Sequence, residues 1–182
     1  MTDDQQQRIE AIIFDLLEAI GEDPHREGLR ETPRRVAEFW LDFMQGDHGN
    51  CETTFKQEAT DQMVVVTKLR VWSLCEHHLL PFWCDVSIGY IARKKILGLS
   101  KFARIARRCA SKLQNQERLV EQIAAEIAHI TETHDVAVYA AGEHTCTLMR
   151  GVMTPHTMHS SKMSGVFLQI PSARAEFLAF AK

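Results

Sequence analysis

Ile9, Ile12, Ile13, Leu16, Leu17 and Ile20 recur at helical spacing between polar neighbours, which predicts an amphipathic helix over about residues 5–20. Gly21 and Asp23-Pro24 end it. Thr32-Pro33 reads as the N-cap and first residue of a second helix reaching about residue 45, with Val36, Phe39, Trp40 and Phe43 on one face. The polar stretch 46–62 predicts an exposed loop. After it the period changes: 63–69 is a β-branched run and predicts a strand, followed by another over about 85–91. Ser100 opens a predicted helix to about residue 113. Its apolar stripe is Phe102, Ile105, Ala106, Cys109 and Leu113, with Lys101, Arg104 and Arg108 as a basic stripe on an adjacent face. Another helix spans about 116–134, with Leu119, Ile123, Ile127 and Ile130 inward. Strands are expected at 136–141, 145–149 and 165–170, and a short helix at 174–181. No internal repeat or low-complexity linker interrupts the series. The order predicts an α+β chain: an N-terminal helical segment and loop over 1–60, then a domain over 61–182 built on an antiparallel sheet with two helices inserted between strand pairs.

Composition narrows the function classes. With 182 residues and an ordinary apolar content of 45%, the chain is long enough to bury a core, so global disorder is excluded. A net charge of −3 argues against general nucleic-acid binding, although Lys94, Lys95, Lys101, Arg104, Arg107 and Arg108 concentrate positive charge locally. Five cysteines, at 51, 75, 84, 109 and 146, form no regular framework and suit reduced thiols and metal ligation. No secretory signal is visible, and no apolar run approaches the ~20 residues that span a bilayer. The expectation is a cytosolic protein without membrane or nucleic-acid partners.

Two distant segments carry the strongest chemistry. Cys75 and His78 have the close spacing of a metal-ligand pair on a turn, and Cys146 supplies a third, soft ligand. Three protein ligands on tetrahedral Zn²⁺ leave one position for water, as in a catalytic site. A closed structural site is the rival and would recruit His77 or His144 as fourth ligand. If 144–149 is extended, His144 and Cys146 share a face, with Arg150 near the rim. Spare histidines beside such a centre suit proton transfer. Gly98-Leu99-Ser100-Lys101, with Arg104 one turn on, reads either as a phosphate-binding helix start or as a solvated basic face. Glu117, after Gln116, reads either as a helix-dipole partner or as an acceptor for the paired N–H groups of a guanine edge.

Together these segments resemble the GTP cyclohydrolase I family. The resemblance is carried by Glu31-Thr32-Pro33-Arg34-Arg35-Val36-Ala37, Cys75-Glu76-His77-His78-Leu79-Leu80-Pro81-Phe82, Ile88-Gly89-Tyr90-Ile91, Gly98-Leu99-Ser100-Lys101, Gln116-Glu117-Arg118-Leu119, His144-Thr145-Cys146, Arg150-Gly151-Val152 and Gly165-Val166-Phe167. Order and spacing agree over about residues 23–180. The resemblance implies the tunnelling fold, in which strands of several subunits complete a barrel, active sites lie between subunits, and the usual assembly is a homodecamer. It implies hydrolysis of GTP at guanine C8, loss of formate and rearrangement to 7,8-dihydroneopterin triphosphate. By position, Cys75, His78 and Cys146 would bind zinc. His144 would act as acid/base with His77 assisting. Glu117, with Gln116 beside it, would hold guanine. Ser100, Lys101, Arg104, Arg150 and Arg35 would hold the ribose and triphosphate.

The chain departs from the family pattern at several places. Cys84 stands where glycine is usual, Ser87 replaces a histidine, Ala92 a proline, and Ala141-Gly142 a Glu-Ala pair. A Ser/Thr-rich stretch becomes residues 153–161, and a Cys75–Cys84 disulfide is conceivable. These changes keep two other expectations open: a divergent cyclohydrolase that uses another purine nucleotide or stops at a ring-opened product, and a non-catalytic zinc-binding assembly module.

Overall fold

A computed structural model describes residues 3–46, 49–56 and 61–181. The chain forms two compact units, Met1–Asp47 and His48–Lys182. The first unit is a pair of helices, α1 (Asp3–Ala19) and α2 (Thr32–Gln45), packed on each other. Glu31, not Thr32, is the N-cap of α2, and Pro33 sits in its first turn, where its missing N–H costs nothing. Of the predicted loop at 46–62, residues 47–48 and 57–60 lie outside the described residues.

The second unit is built on a five-stranded sheet of order β5-β2-β3-β6-β7. Its strands are β2 (Gln62–Cys75), β3 (Pro81–Ala92), β5 (Leu113–Gln114), β6 (Val136–His144) and β7 (Met158–Met163). All neighbours are antiparallel except β5, which runs parallel to the end of β2. A separate ribbon pairs β1 (Thr54–Lys56) with β4 (Lys95–Leu97). Helices α3 (Leu99–Ala110) and α4 (Gln116–Thr131) are inserted between β3 and β6, the subunit arrangement implied by the resemblance. Their apolar stripes bury Phe102, Ile105, Leu119, Ile123 and Ile127 against Val71, Val86, Ile88 and Val138 of the sheet. On the opposite sheet face, α7 (Pro171–Ala181) packs Phe177 and Ala181 with Phe167, Ile91 and Ala137. Gly89 permits that approach, because a Cβ there would lie 2.7 Å from the Phe177 ring. Ser87 Oγ donates to the Ala181 carbonyl at 3.3 Å and so seats the end of α7. No helix among the described residues is long and apolar enough to cross a membrane.

Three expectations fail locally. Residues 145–149 are not a strand: α5 (Thr145–Leu148) is a single helical turn, closed by Met149 N–H to the Thr145 carbonyl at 3.0 Å. Residues 165–170 contain α6 (Val166–Gln169), entered through Gly165 at φ +55. Both segments are short and rich in β-branched or apolar residues, a composition that periodicity alone reads as strand. Finally, α3 stops at Ala110, with Gly98 rather than Ser100 as its N-cap, and Leu113 belongs to β5. The edge strand β7 carries Met158-His159-Ser160-Ser161-Lys162-Met163, with no apolar face for a sequence pattern to register.

Candidate active site

The end of β2 and the turn after it place two metal-type ligands. Leu79 N–H donates to the Cys75 carbonyl at 2.8 Å and Cys75 N–H to the Leu80 carbonyl at 2.8 Å. Leu79 takes φ +57 to close this turn, which folds His78 back over Cys75. The third ligand, Cys146, comes from α5, whose first residue is pinned to the start of β3 by Thr145 Oγ1 donating to the Pro81 carbonyl at 2.5 Å. Ligand atoms of Cys75, His78 and Cys146 all lie within 4.8 Å of one another. Tetrahedral zinc spaces S and N ligand atoms by roughly 3.5–3.8 Å, and Cys75 Sγ is 3.7 Å from His78 Nδ1. Burial and the adjacent Cys75 thiol push the Cys146 thiol pKa up, so two thiols crowd together where a divalent cation would favour their ionised forms. The donor set therefore fits zinc. Among the described residues no fourth ligand joins the group; His77 Nδ1 is 3.8 Å from Cys75 Sγ but its ring is exposed and outside the cluster. Arg150 Nη1 lies 3.1 Å from His78 Nε2, at the rim.

His144 ends β6 directly opposite Phe82 in the ladder, and the two rings stack at 4.4 Å with 7° between planes. Its Nε2 is 3.1 Å from Gln116 Oε1. Burial pushes the His144 imidazole below its usual pKa range; the charge of Glu117 opposes this and His156 reinforces it. The ring is thus held largely neutral near pH 7, the form that accepts a proton.

The start of α4 is bonded to the metal turn. Asn115 caps the helix by accepting from Arg118 N–H at 2.8 Å, and its Nδ2 donates to Glu76 Oε1 at 2.9 Å. Arg118 pairs with the other Glu76 oxygen and also donates to Gln114 Oε1 at 2.6 Å. The Arg118 and Asn115 bonds hold the Glu76 carboxylate below its usual pKa range. Glu117 projects, exposed, from the same first turn. Cys75, His78, Cys146, His77, His144, Arg150, Gln116 and Glu117 therefore belong to one neighbourhood.

Ser100, Lys101 and Arg104 do not join it. They lie in the first turns of α3, while the last turn meets β2 through Ser73 Oγ donating to the Ala110 carbonyl at 2.7 Å. Ser100 stands ten residues before Ala110, about 15 Å of helix, and Arg104 six residues before it, about 9 Å. Lys101 is not part of a solvated stripe: it is buried, and its Nζ donates to the Asn50 carbonyl at 2.7 Å, which Arg104 NH1 also reaches at 3.2 Å. Arg35 is exposed on α2 in the first unit.

A Cys75–Cys84 disulfide is excluded. Cys84 pairs with Val71, four residues from Cys75 along β2, about 13 Å at strand rise, and all five cysteines are free. Sequence reasoning did not single out Phe82, Glu76, Asn115 or Arg118 as site-building residues. Asn115 carried a usable signal, a capping residue just ahead of a helical period; the others act through contacts that only the fold creates.

The chain matches the family described as GTP cyclohydrolase I over residues 9–182. It is 45% identical over 169 residues to GTP cyclohydrolase 1 of Hyperthermus butylicus, covering 93% of this chain and 87% of that protein. It is 44% identical over 178 residues to GTP cyclohydrolase 1 of Aquifex aeolicus, covering 97% of each. The Drosophila melanogaster GTP cyclohydrolase 1 is 44% identical over 168 residues, covering 90% of this chain and 52% of that protein. Among solved structures, the archaeosine synthase QueF-Like in the apo form is similar at a TM-score of 0.46 and 15% identity, covering 59% of this chain and 97% of that one.

Proposed function

This chain belongs to the GTP cyclohydrolase I family, and on that premise we propose that it is an enzyme that opens the imidazole ring of GTP hydrolytically at C8, releases formate and yields 7,8-dihydroneopterin triphosphate. The observation that carries the reading is the grouping of an open Cys-His-Cys cluster with a buried neutral-leaning histidine and an exposed helix-start carboxylate.

Cys75, His78 and Cys146 would hold zinc. Zinc bound there supplies Lewis acidity, which makes water a competent nucleophile near neutral pH. The remaining work belongs to side chains. Glu117 accepts the N1–H and 2-amino N–H of guanine, which sets C8 toward the cluster. His144, kept mostly neutral by burial, takes a proton and returns it to the ring nitrogen as the C8–N bond breaks. His77, exposed beside Cys75, exchanges protons with solvent. Arg150, already at the rim by His78, meets the ribose-triphosphate side. Ser100, Lys101, Arg104 and Arg35 supply the triphosphate end from neighbouring subunits, a division supported by the length of α3 between Ser100 and the cluster. The corresponding assembly is a homodecamer, its barrel closed by pairing of edge strands between subunits, in the cytoplasm, with a product that enters pterin or folate synthesis.

The test is direct. Purified protein with one zinc per chain, given GTP, is expected to release formate and form a product that oxidises to a fluorescent pterin. Absence of both sinks the reading, and GDP or another purine nucleotide turning over faster would replace GTP as substrate. His144→Ala is expected to keep its zinc while formate release falls about 100-fold or more, the scale of a lost general acid–base.

A further inference from the structure

Gln116 stands beside Glu117 at the start of α4, but its side chain turns into the protein. It is fully buried, and each of its polar atoms is matched. The amide nitrogen donates toward the Met158 carbonyl (3.0 Å), Ser160 Oγ (3.1 Å) and the Ala140 carbonyl (3.2 Å). The amide oxygen accepts from the Cys84 thiol at 3.4 Å and faces His144 Nε2 at 3.1 Å. Backbone carbonyls only accept, so a flipped amide would set its oxygen against two others; the orientation is fixed by chemistry. An oxygen facing His144 Nε2 requires a hydrogen on that nitrogen. Stacking on Phe82 fixes the plane of the ring, and within that plane the flipped ring would set a carbon against the Gln116 oxygen in place of Nε2.

We propose that Gln116 is a positioning residue rather than a guanine ligand: it holds the His144 ring with its hydrogen on Nε2 and leaves Nδ1 as the nitrogen that exchanges a proton with substrate. The role of His144 rests on the cyclohydrolase reading, whereas the identity of its protonated nitrogen does not. Gln116 has no donor or acceptor left for a purine edge, while Glu117 on the next residue is exposed. Two features of this particular chain serve the arrangement. Cys84 adds a second donor to the same amide oxygen. Gly142 makes room for it, since a Cβ there would stand 2.6 Å from both Cys84 Sγ and Gln116 Oε1. The divergent stretch 153–161 also takes part, because Met158 and Ser160 on β7 anchor the amide nitrogen. That strand is therefore linked to His144 through one side chain.

Two measurements on the zinc-loaded protein decide the matter. Magic-angle-spinning ¹⁵N spectra of histidine-labelled wild type, assigned by the signal missing from His144→Gln, are expected to show His144 protonated on Nε2 and bare on Nδ1 in its neutral form. The opposite tautomer overturns the proposal. In steady-state kinetics with GTP, Gln116→Met is expected to lower kcat about 100-fold, with KM within about threefold and zinc retained. A raised KM at unchanged kcat would make Gln116 a guanine ligand and overturn it as well. If the variant fails to assemble, the wild-type spectrum still decides. Wild type that releases no formate would remove the cyclohydrolase reading while leaving the tautomer result standing.

Discussion

Cys84 and Gly142 face each other across the β3–β6 ladder, and their sizes are reciprocal. Against the glycine and alanine that the family resemblance implies at these positions, this chain carries the larger side chain on the other strand. The exchange keeps the space above Gln116 filled: Cys84 is wholly buried, and burial pushes its thiol pKa up to about 12, so it stays protonated and able to donate. Gly142→Ala alone is expected to overpack this site and destabilise by about 1–3 kcal/mol. Adding Cys84→Gly removes the sulfur but leaves the Gln116 oxygen and the Trp83 carbonyl close to the new Cβ, so the double variant should be more stable than the sum of the two single effects predicts while staying below wild type. Chemical denaturation of the four proteins at equal zinc content measures this. Strict additivity would mean that the two residues do not share the space.

At the scale of elements, long periodic segments were legible and short ones were not. The stripes of α1, α2, α3 and α4 and the β-branched core of β2 declare themselves because many residues repeat one pattern. One-turn helices such as α5 and α6 offer no period, and their geometry comes from tertiary bonds such as Thr145 to Pro81. The metal ligands were legible because their chemistry is local to Cys75–His78 and Cys146, whichever backbone carries them. Glu76 and Arg118 were not, since their pairing needs the turn and α4 to meet. The β2–β3 ladder also holds a cross-strand device invisible to hydropathy. Arg70 binds both oxygens of Asp85 at 2.6 and 2.8 Å and lies 3.9 Å over the Trp83 ring. The Arg70 hydrogen bond holds the Asp85 carboxyl below its ordinary value of 3.8, against a smaller opposing effect of burial. A depressed folded pKa means that the stabilisation is complete above pH 3.8 and is lost as pH falls through the folded value. Arg70→Met should therefore lower the melting temperature near neutrality and flatten its decline below about pH 4. An acid limb as steep as that of wild type would show that the pair contributes nothing to it.

For the whole molecule, the decisive feature is that α3 stands between the Cys-His-Cys cluster and the proposed phosphate residues Ser100 and Arg104. The cluster of Cys75, His78 and Cys146, with His144, sits where the end of β2 meets β5, while Ser100 and Arg104 lie about 15 and about 9 Å of helix before the end of α3. Lys101 at that far end holds the Asn50 carbonyl instead of reaching toward the cluster. On the proposed function, one subunit would offer the purine-and-metal half of a site at one place and the phosphate half at another, and a symmetric assembly would join the halves of different copies. This makes a sharp demand on mixed oligomers. His144→Ala and Arg104→Ala are each expected to release little formate when assembled alone. Co-refolded in equal amounts, they should recover up to about a quarter of wild-type activity, because that fraction of randomly formed inter-subunit junctions unites an intact His144 with an intact Arg104. If both residues served the same subunit's site, every site in the mixture would carry one defect and no recovery would appear. The measurement therefore separates a shared site from a self-contained one without any structure of the assembly.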